Sequence, residues 1–440
     1  MNLLRGKLVG SLIAAFVLLA IPSAASAASS SGPVKPCNGS VELCSRTLDQ
    51  VVLPGSHNSM SASELDWFRP NQTFSIPNQL ERGARAMLID TYYGQRRTLA
   101  NGTTTVDKLG RAAGSAIGAE MFLCHETCLW GYSNRIDVFS EIRAFLAANP
   151  REVMVFVNQD NVTPADYARA VEESGLIDFV YRGSTDEYPT LGVMVDSNQR
   201  VVMFAEQQSD GVDWYHKTDS GAVQETPYDF SSWANLFVPE MLNRSCEPGR
   251  GGGTGPLFLM NNWVSRPQGT DIPPPIISDA VIVNSKSALV ARARACEARR
   301  SKLPNILAVD FFGSGDVVGA ARELNDVEPA PFLELGSARP ARVRAGGAAT
   351  FRVNVSNIGD GTSESLRVCA TAPRRLIRGS ACQNLGALGS GSSRTAVLRV
   401  RTLPRASGRG AVNIRMATSS GPLSSRTNLT VVAPRRPRTR

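Results

Sequence analysis

Histidine is scarce in this chain: three residues among 440, His57, His125 and His216. With eight cysteines, none arranged as Cys-x-x-Cys, so few imidazoles argue against a structural zinc site. Long apolar runs are lacking beyond the first 27 residues. No later segment approaches the roughly 18 to 20 apolar residues a membrane-spanning helix needs, so the remaining chain is not expected to cross a bilayer. Lysine is absent from the last 112 residues, which nevertheless hold 19 arginines and only three acids, Glu334, Asp360 and Glu364. That is a net of about +16, and against +8 for the whole chain it leaves about −8 for residues 1–328. The composition therefore predicts an acidic body followed by a basic domain.

At the N-terminus Arg5 and Lys7 precede an apolar stretch from Leu8 to Ile21, and Ala25-Ser26-Ala27 supplies small residues for cleavage. This reads as a secretory signal peptide over residues 1–27, followed by a flexible leader over 28–36. A secreted, extracellular location follows, and eight cysteines suit an oxidising destination. They fall as near neighbours, Cys37 with Cys44, Cys124 with Cys128, Cys246 with Cys296 and Cys369 with Cys382. Pairing in that order is expected because short loops close easily, although other connectivities stay open.

Residues 37–328 alternate strand and helix patterns. Seven candidate strands, Gln50 to Gly55, Ala86 to Asp90, Met121 to His125, Val153 to Asn158, Val201 to Glu206, Leu257 to Trp263 and Ile306 to Phe312, are mostly continuous apolar runs. Such runs suit parallel strands covered by helices, and the length suits one (β/α) barrel. Ile136 to Asn149 and Pro164 to Gly175 carry helical spacing, with Thr163 placed to cap the second. Pro329-Ala330-Pro331 marks a joint. Beyond it, residues 329–433 alternate apolar with polar or arginine, as antiparallel strands of an immunoglobulin-like sandwich do, and 434–440 form a basic tail. The predicted class is α/β, an irregular TIM-type barrel followed by an all-β immunoglobulin-like sandwich.

His57 and His125 each stand just past an apolar run. An imidazole at a strand end can take and give a proton near neutral pH, so the two read as an acid/base pair; two unrelated loop residues are the alternative.

Six segments occur in a telling order. They are Gly55-Ser56-His57-Asn58-Ser59, Arg82 through Tyr92, Leu123-Cys124-His125, Phe145 through Val153, Asn198 through Phe204, and Pro304 through Phe312. Over residues 37 to about 326 the chain resembles the phosphatidylinositol-specific phospholipase C X-domain superfamily, particularly its secreted phospholipase C-like phosphodiesterases. The resemblance implies a site at the C-terminal ends of barrel strands and cleavage of a phosphodiester through a cyclic phosphate. The substrate would be a phospholipid, phosphatidylinositol among them, or another phosphodiester. By position His57 resembles the general base and His125 the general acid. Asp310, at the last candidate strand end, would orient His57; a buried aspartate capping backbone groups is the other reading.

Cofactor signals are mixed. Asn58 and Asp90 match the metal-dependent members, and Asp160 could add an oxygen for calcium or magnesium. Leu88 stands where those members place an acid. An arginine, with Arg85 and Arg135 the candidates, would otherwise meet the phosphoryl charge. The run Gly249 to Gly255 reads as a flexible loop, His216 as a surface loop residue, and Trp67-Phe68, Trp130, Trp214-Tyr215 and Trp233 as core or an interfacial rim. The basic domain is expected to meet an anionic cell-envelope or membrane surface, nucleic acid being a poor fit for an exported protein. An inactive barrel serving as a binding module, and a metal-dependent glycerophosphodiesterase, are the competing functions.

Overall fold

The computed structural model describes residues 35–115, 118–265, 274–418 and 421–433. The expected signal peptide, most of the leader and the basic tail lie outside the described residues.

Eleven strands precede the proline joint: β1 (Leu53–Ser56), β2 (Ala86–Thr98), β3 (Thr104–Leu109), β4 (Glu120–Leu123), β5 (Ser133–Asn134), β6 (Met154–Asn161), β7 (Val201–Ala205), β8 (Tyr215–Lys217), β9 (Val223–Glu225), β10 (Leu257–Asn262) and β11 (Ile306–Val309). Eight form one curled parallel sheet in the order β8-β7-β6-β2-β1-β11-β10-β9. Among the described residues its end strands β8 and β9 do not pair, so this irregular barrel is open along one seam.

Alternate side chains of each strand serve two cores, which is why the strands read as unbroken apolar runs. Leu53, Leu88, Val157, Phe204, Leu259 and Ala308 share the barrel interior. Their neighbours Met87, Ile89, Phe156, Met203, Met260 and Val309 face outward, in one cluster with Phe139, Ile142, Tyr167 and Leu289 of the surrounding helices. Helix Arg135–Ala148 is capped by the Asn134 side chain, which accepts from the Ile136 amide, and helix Pro164–Glu173 by Thr163, as its sequence predicts.

Two expectations change. Met121 to His125 contains a strand, β4, but it runs antiparallel to β2 and is not a barrel stave. The missing staves are β8 and β9, three residues each, too short to carry a periodicity. His216 consequently belongs to a strand, not a surface loop. It is half-buried 6.0 Å from the Phe204 ring, its Nε2 has no hydrogen-bond partner, and burial lowers its pKa. Trp67 and Trp214 are buried, whereas Phe68 is exposed.

After the joint come β12 (Leu333–Leu335), β13 (Ala341–Arg344), β14 (Ala348–Asn357), β15 (Leu366–Thr371), β16 (Ala381–Gly386), β17 (Ser393–Arg401), β18 (Gly408–Met416) and β19 (Leu423–Val432). They make a three-stranded sheet, β12-β14-β17, and a five-stranded one, β13-β19-β18-β15-β16. Phe351, Val353 and Leu398 of the first meet Val368, Ile414 and Leu429 of the second in a separate core. Arg322 pairs with Asp360 at 3.0 Å, and Lys35 with Glu334, linking sandwich to barrel. All four disulfides join cysteines in sequence order.

Candidate active site

Strand β1 ends at Ser56, and the His57 amide then donates to the Val309 carbonyl at 2.9 Å, which keeps His57 beside the residue that follows β11. That residue is Asp310, whose Oδ1 accepts from His57 Nδ1 at 2.8 Å. Asn71 Nδ2 donates to the same oxygen at 3.1 Å, and Asn284 Nδ2 donates to the Asp310 carbonyl at 2.7 Å. With the Nδ1 proton fixed on Asp310, His57 Nε2 is left as the basic atom. One face of the imidazole is covered by Trp263, just past β10, with ring centroids 3.6 Å apart and planes 2° from parallel.

His125 arrives by another route. After Met87 the edge of β2 loses its ladder with β1, whose continuation still reaches the Leu88 carbonyl through the Ser59 amide at 2.9 Å and the Ser59 hydroxyl at 3.2 Å. From Thr91 onward that edge is taken by β4, which pairs Thr91 with Leu123. The antiparallel register brings the residues after Leu123 back alongside Asp90, and His125 Nδ1 lies 3.0 Å from Asp90 Oδ2. The Cys124–Cys128 disulfide brackets this histidine. Burial alone would depress the His125 pKa, but the hydrogen bond and charge of Asp90, aided by Glu126 and Asp310, outweigh it and hold the pKa above the ordinary value.

Asn58, buried and left-handed at φ 46°, is wedged between the two histidines. One amide terminus is 3.1 Å from His57 Nε2, and the other lies 3.2 and 3.3 Å from the Asp90 oxygens. A carboxylate only accepts, so the favoured orientation puts the nitrogen on Asp90 and leaves the oxygen facing His57 Nε2, from which it accepts once that nitrogen is protonated. In the opposite orientation the nitrogen sits 3.1 Å from His57 Nε2 and 3.4 Å from His125 Nε2. Either way one amide terminus lies 3.1 Å from His57 Nε2 and against the His125 ring, 3.2 Å from its Nδ1 and 3.4 Å from its Nε2, with imidazole centroids 6.4 Å apart.

Three charged groups that sequence reasoning left aside complete the mouth. Glu206, just after β7, and Glu225, ending β9, both pair with Arg250, whose pKa their charges raise against the effect of burial. Burial pushes the Glu206 pKa up to about 7, Arg250 opposing and Asp90 and Glu225 adding to it. Arg250 is delivered by the glycine run Gly249 to Gly255, where Gly251 at φ 71° would put a Cβ only 2.1 Å from the Val223 carbonyl. The usable signal was strand parity: Glu206, Glu225 and Trp263 continue the inward-facing alternation of β7, β9 and β10.

Parity also separates Asp160 from Asn58 and Asp90. Val155 and Val157 face the barrel interior, so Asp160 projects from the opposite face of β6, accepting from the Gln207 and Gln208 amides at 2.8 and 3.0 Å and from Arg111 at 3.2 Å. Burial raises its pKa, against those amides. Leu88 lies in the barrel core. Asn58 and Asp90 do lie together, yet they bond each other and the histidines, so the Asn58, Asp90 and Asp160 donors do not fit one cation site. Among the described residues no group of three or more His, Cys, Asp or Glu is disposed to hold a metal. Neither candidate arginine is at the mouth: Arg85, preceding β2, pairs with Glu152, and Arg135 with Glu173.

Fold and site define a phospholipase C-like α/β barrel with a carboxylate-backed histidine pair at its strand ends. A family model described as PI-PLC X 1 matches residues 43–325, and the chain belongs to that family. An uncharacterized secreted protein of Arthroderma benhamiae is 24% identical over 323 residues, covering 67% of this chain and 64% of its own. PI-PLC X domain-containing protein 1 of the same fungus is 22% identical over 304 residues, 66% of this chain and 89% of its own. A PI-PLC X domain-containing protein of Arabidopsis thaliana is 23% identical over 280 residues, 60% and 56% respectively. The chain thus spans less than two thirds of the length of two of these relatives. Among solved structures, the CARDB domain of a Pyrococcus furiosus protein is similar at 16% identity, covering 24% of this chain and 99% of that one with a TM-score of 0.20, below what defines a shared fold. Four disulfides fit an extracellular protein.

Proposed function

We propose that the chain is a secreted phosphoric diester hydrolase of the phospholipase C type. One observation carries the reading: two histidines, each backed at Nδ1 by a buried carboxylate, stand on either side of a single amide terminus at the barrel mouth. In this mechanism His57 Nε2 takes the proton of a substrate hydroxyl, whose oxygen forms a new bond to the neighbouring phosphorus. The bond from phosphorus to the leaving oxygen breaks, and His125 Nε2 gives that oxygen its proton. The product is a cyclic phosphate, and its hydrolysis runs the proton transfers in reverse. Asp310 and Trp263 favour the imidazolium formed on His57, the first by charge and the second through its ring face. The Asn58 oxygen can accept from the newly protonated Nε2.

No step is assigned to calcium or magnesium, because the donors singled out in the sequence do not converge. The test is turnover of phosphatidylinositol, other phospholipids and water-soluble phosphodiesters, with phosphorus NMR following a cyclic intermediate, with and without chelator. A cyclic phosphate that appears and then decays supports the reading. Absence of turnover on every phosphodiester, with retained binding, would replace it with a binding module. Loss of turnover in chelator, restored by one cation, would add a metal-dependent step.

A further inference from the structure

We propose that the outer face of the five-stranded sheet docks a base-free phosphodiester polymer, a chain of polyols joined through phosphates. Six exposed arginines occupy outward positions of this sheet: Arg342 and Arg344 on β13, Arg367 on β15, Arg409 and Arg415 on β18, and Arg426 on β19. No outward position of these strands carries a carboxylate. The domain's three acids stand elsewhere, Glu334 pairing with Lys35, Asp360 with Arg322, and Glu364 preceding β15.

Strand register sets the spacing. Thr430 of β19 pairs with Arg342 on one side and Arg409 on the other, so these two arginines lie two strands apart, about 10 Å. Arg342 and Arg344 are two residues apart along one strand, about 7 Å. Arg375 joins this end of the face by donating to the Arg409 carbonyl at 3.1 Å. Phosphates joined through three-carbon links recur at a similar interval, and a guanidinium fork matches a phosphate in bidentate geometry. The outward positions also carry no aromatic ring, so the face lacks the stacking platform that single-stranded nucleic acid requires. The three-stranded sheet has exposed arginines too, but Asn354 and Ser356 on its outer side line the cleft against the barrel. The five-stranded face is turned away from that cleft.

The experiment measures binding of the full chain to poly(glycerol phosphate) across a salt series. Arg342→Gln/Arg344→Gln/Arg409→Gln should weaken binding at least tenfold and flatten the logarithmic salt slope by about 2, since each neutralised phosphate contributes roughly 0.7. The same triple to lysine, which keeps the charge but loses the fork, should recover only part of the affinity. Arg352→Gln/Arg399→Gln/Arg401→Gln, on the three-stranded sheet, should change it less than threefold. Circular dichroism melts of each variant report folding. Equal losses from both glutamine triples would reduce the effect to net charge and overturn the proposal. So would tighter binding to single-stranded DNA or to anionic vesicles than to the polymer.

Discussion

Barrel and sandwich use the same side chain in opposite ways. In the barrel, two arginines, Arg200 and Arg292, turn inward and converge on unique partners. Arg200 donates to the carbonyls of Leu146, Asn149 and Glu152, closing the end of helix Arg135–Ala148. Arg292, completely buried, donates to Ser245, Asn261 and Asn262, and burial brings its pKa down to about 9. In the five-stranded sheet of the sandwich, arginines alternate with core residues and turn outward, on a face whose strands carry no carboxylate. A convergent group has no substitute, so its loss is felt whole. A dispersed charge is one of several equivalents, so its loss is fractional.

The sharpest form of that contrast is at the barrel mouth. His57→Ala and His125→Ala should each lower turnover by roughly 10² to 10⁴-fold with the barrel still folded, because each removes one proton-transfer group. His216→Ala, lower in the barrel, should leave the mechanism intact; loss of turnover there with both mouth variants active would reassign the site. Arg292→Ala should cost about 3 kcal/mol in a denaturant melt, since it empties a cavity and orphans several buried acceptors. A melt unchanged by it would erase the distinction between convergent and dispersed arginines.

Smaller effects sharpen the comparison. A histidine acts as an acid only while protonated, so if His125 has the proposed role turnover should fall as pH rises through its pKa, which Asp90 holds above the ordinary value. Asp90→Asn removes that charge and should move the basic limb of the kcat/KM profile to lower pH. An unmoved limb would take His125 out of the acid role. Smallest of all, Arg415→Gln should weaken polyanion binding only about twofold, one charge among many.

Much of this was legible in the sequence, for definite reasons. Strands buried on both faces write themselves as apolar runs, so five of the seven candidates became barrel staves with a polar residue at or just past their ends. A sixth, Gln50 to Gly55, overlaps β1 and led directly to His57. The cysteines paired as neighbours because their loops are short. What failed depends on which strand lies beside which. Met121 to His125 looks like any other apolar run, and only pairing with β2 makes it antiparallel. Asp160 lies just past its candidate strand as Asp90 ends its own, yet the alternation of β6 turns it outward. Glu206 ended a candidate strand and drew no notice, because its chemistry appears only beside Arg250, which comes from a glycine run 44 residues later.

The antiparallel hairpin formed by the outer half of β2 with β3 and β4 has a further consequence. His57 and Asp310 are anchored in the barrel sheet, but His125 hangs from this appendage, whose β3 buries Val106, exposes Thr104 and Lys108, and hydrogen-bonds as a strand to β2 alone among the described strands. Such a segment opens at a lower free energy than the sheet that carries it. Warming should therefore displace His125 before the barrel melts, so that loss of turnover precedes unfolding and cooling restores it. Amide exchange in β3 and β4 should run ahead of exchange in β1, β6 and β11, and its onset should track the loss of turnover.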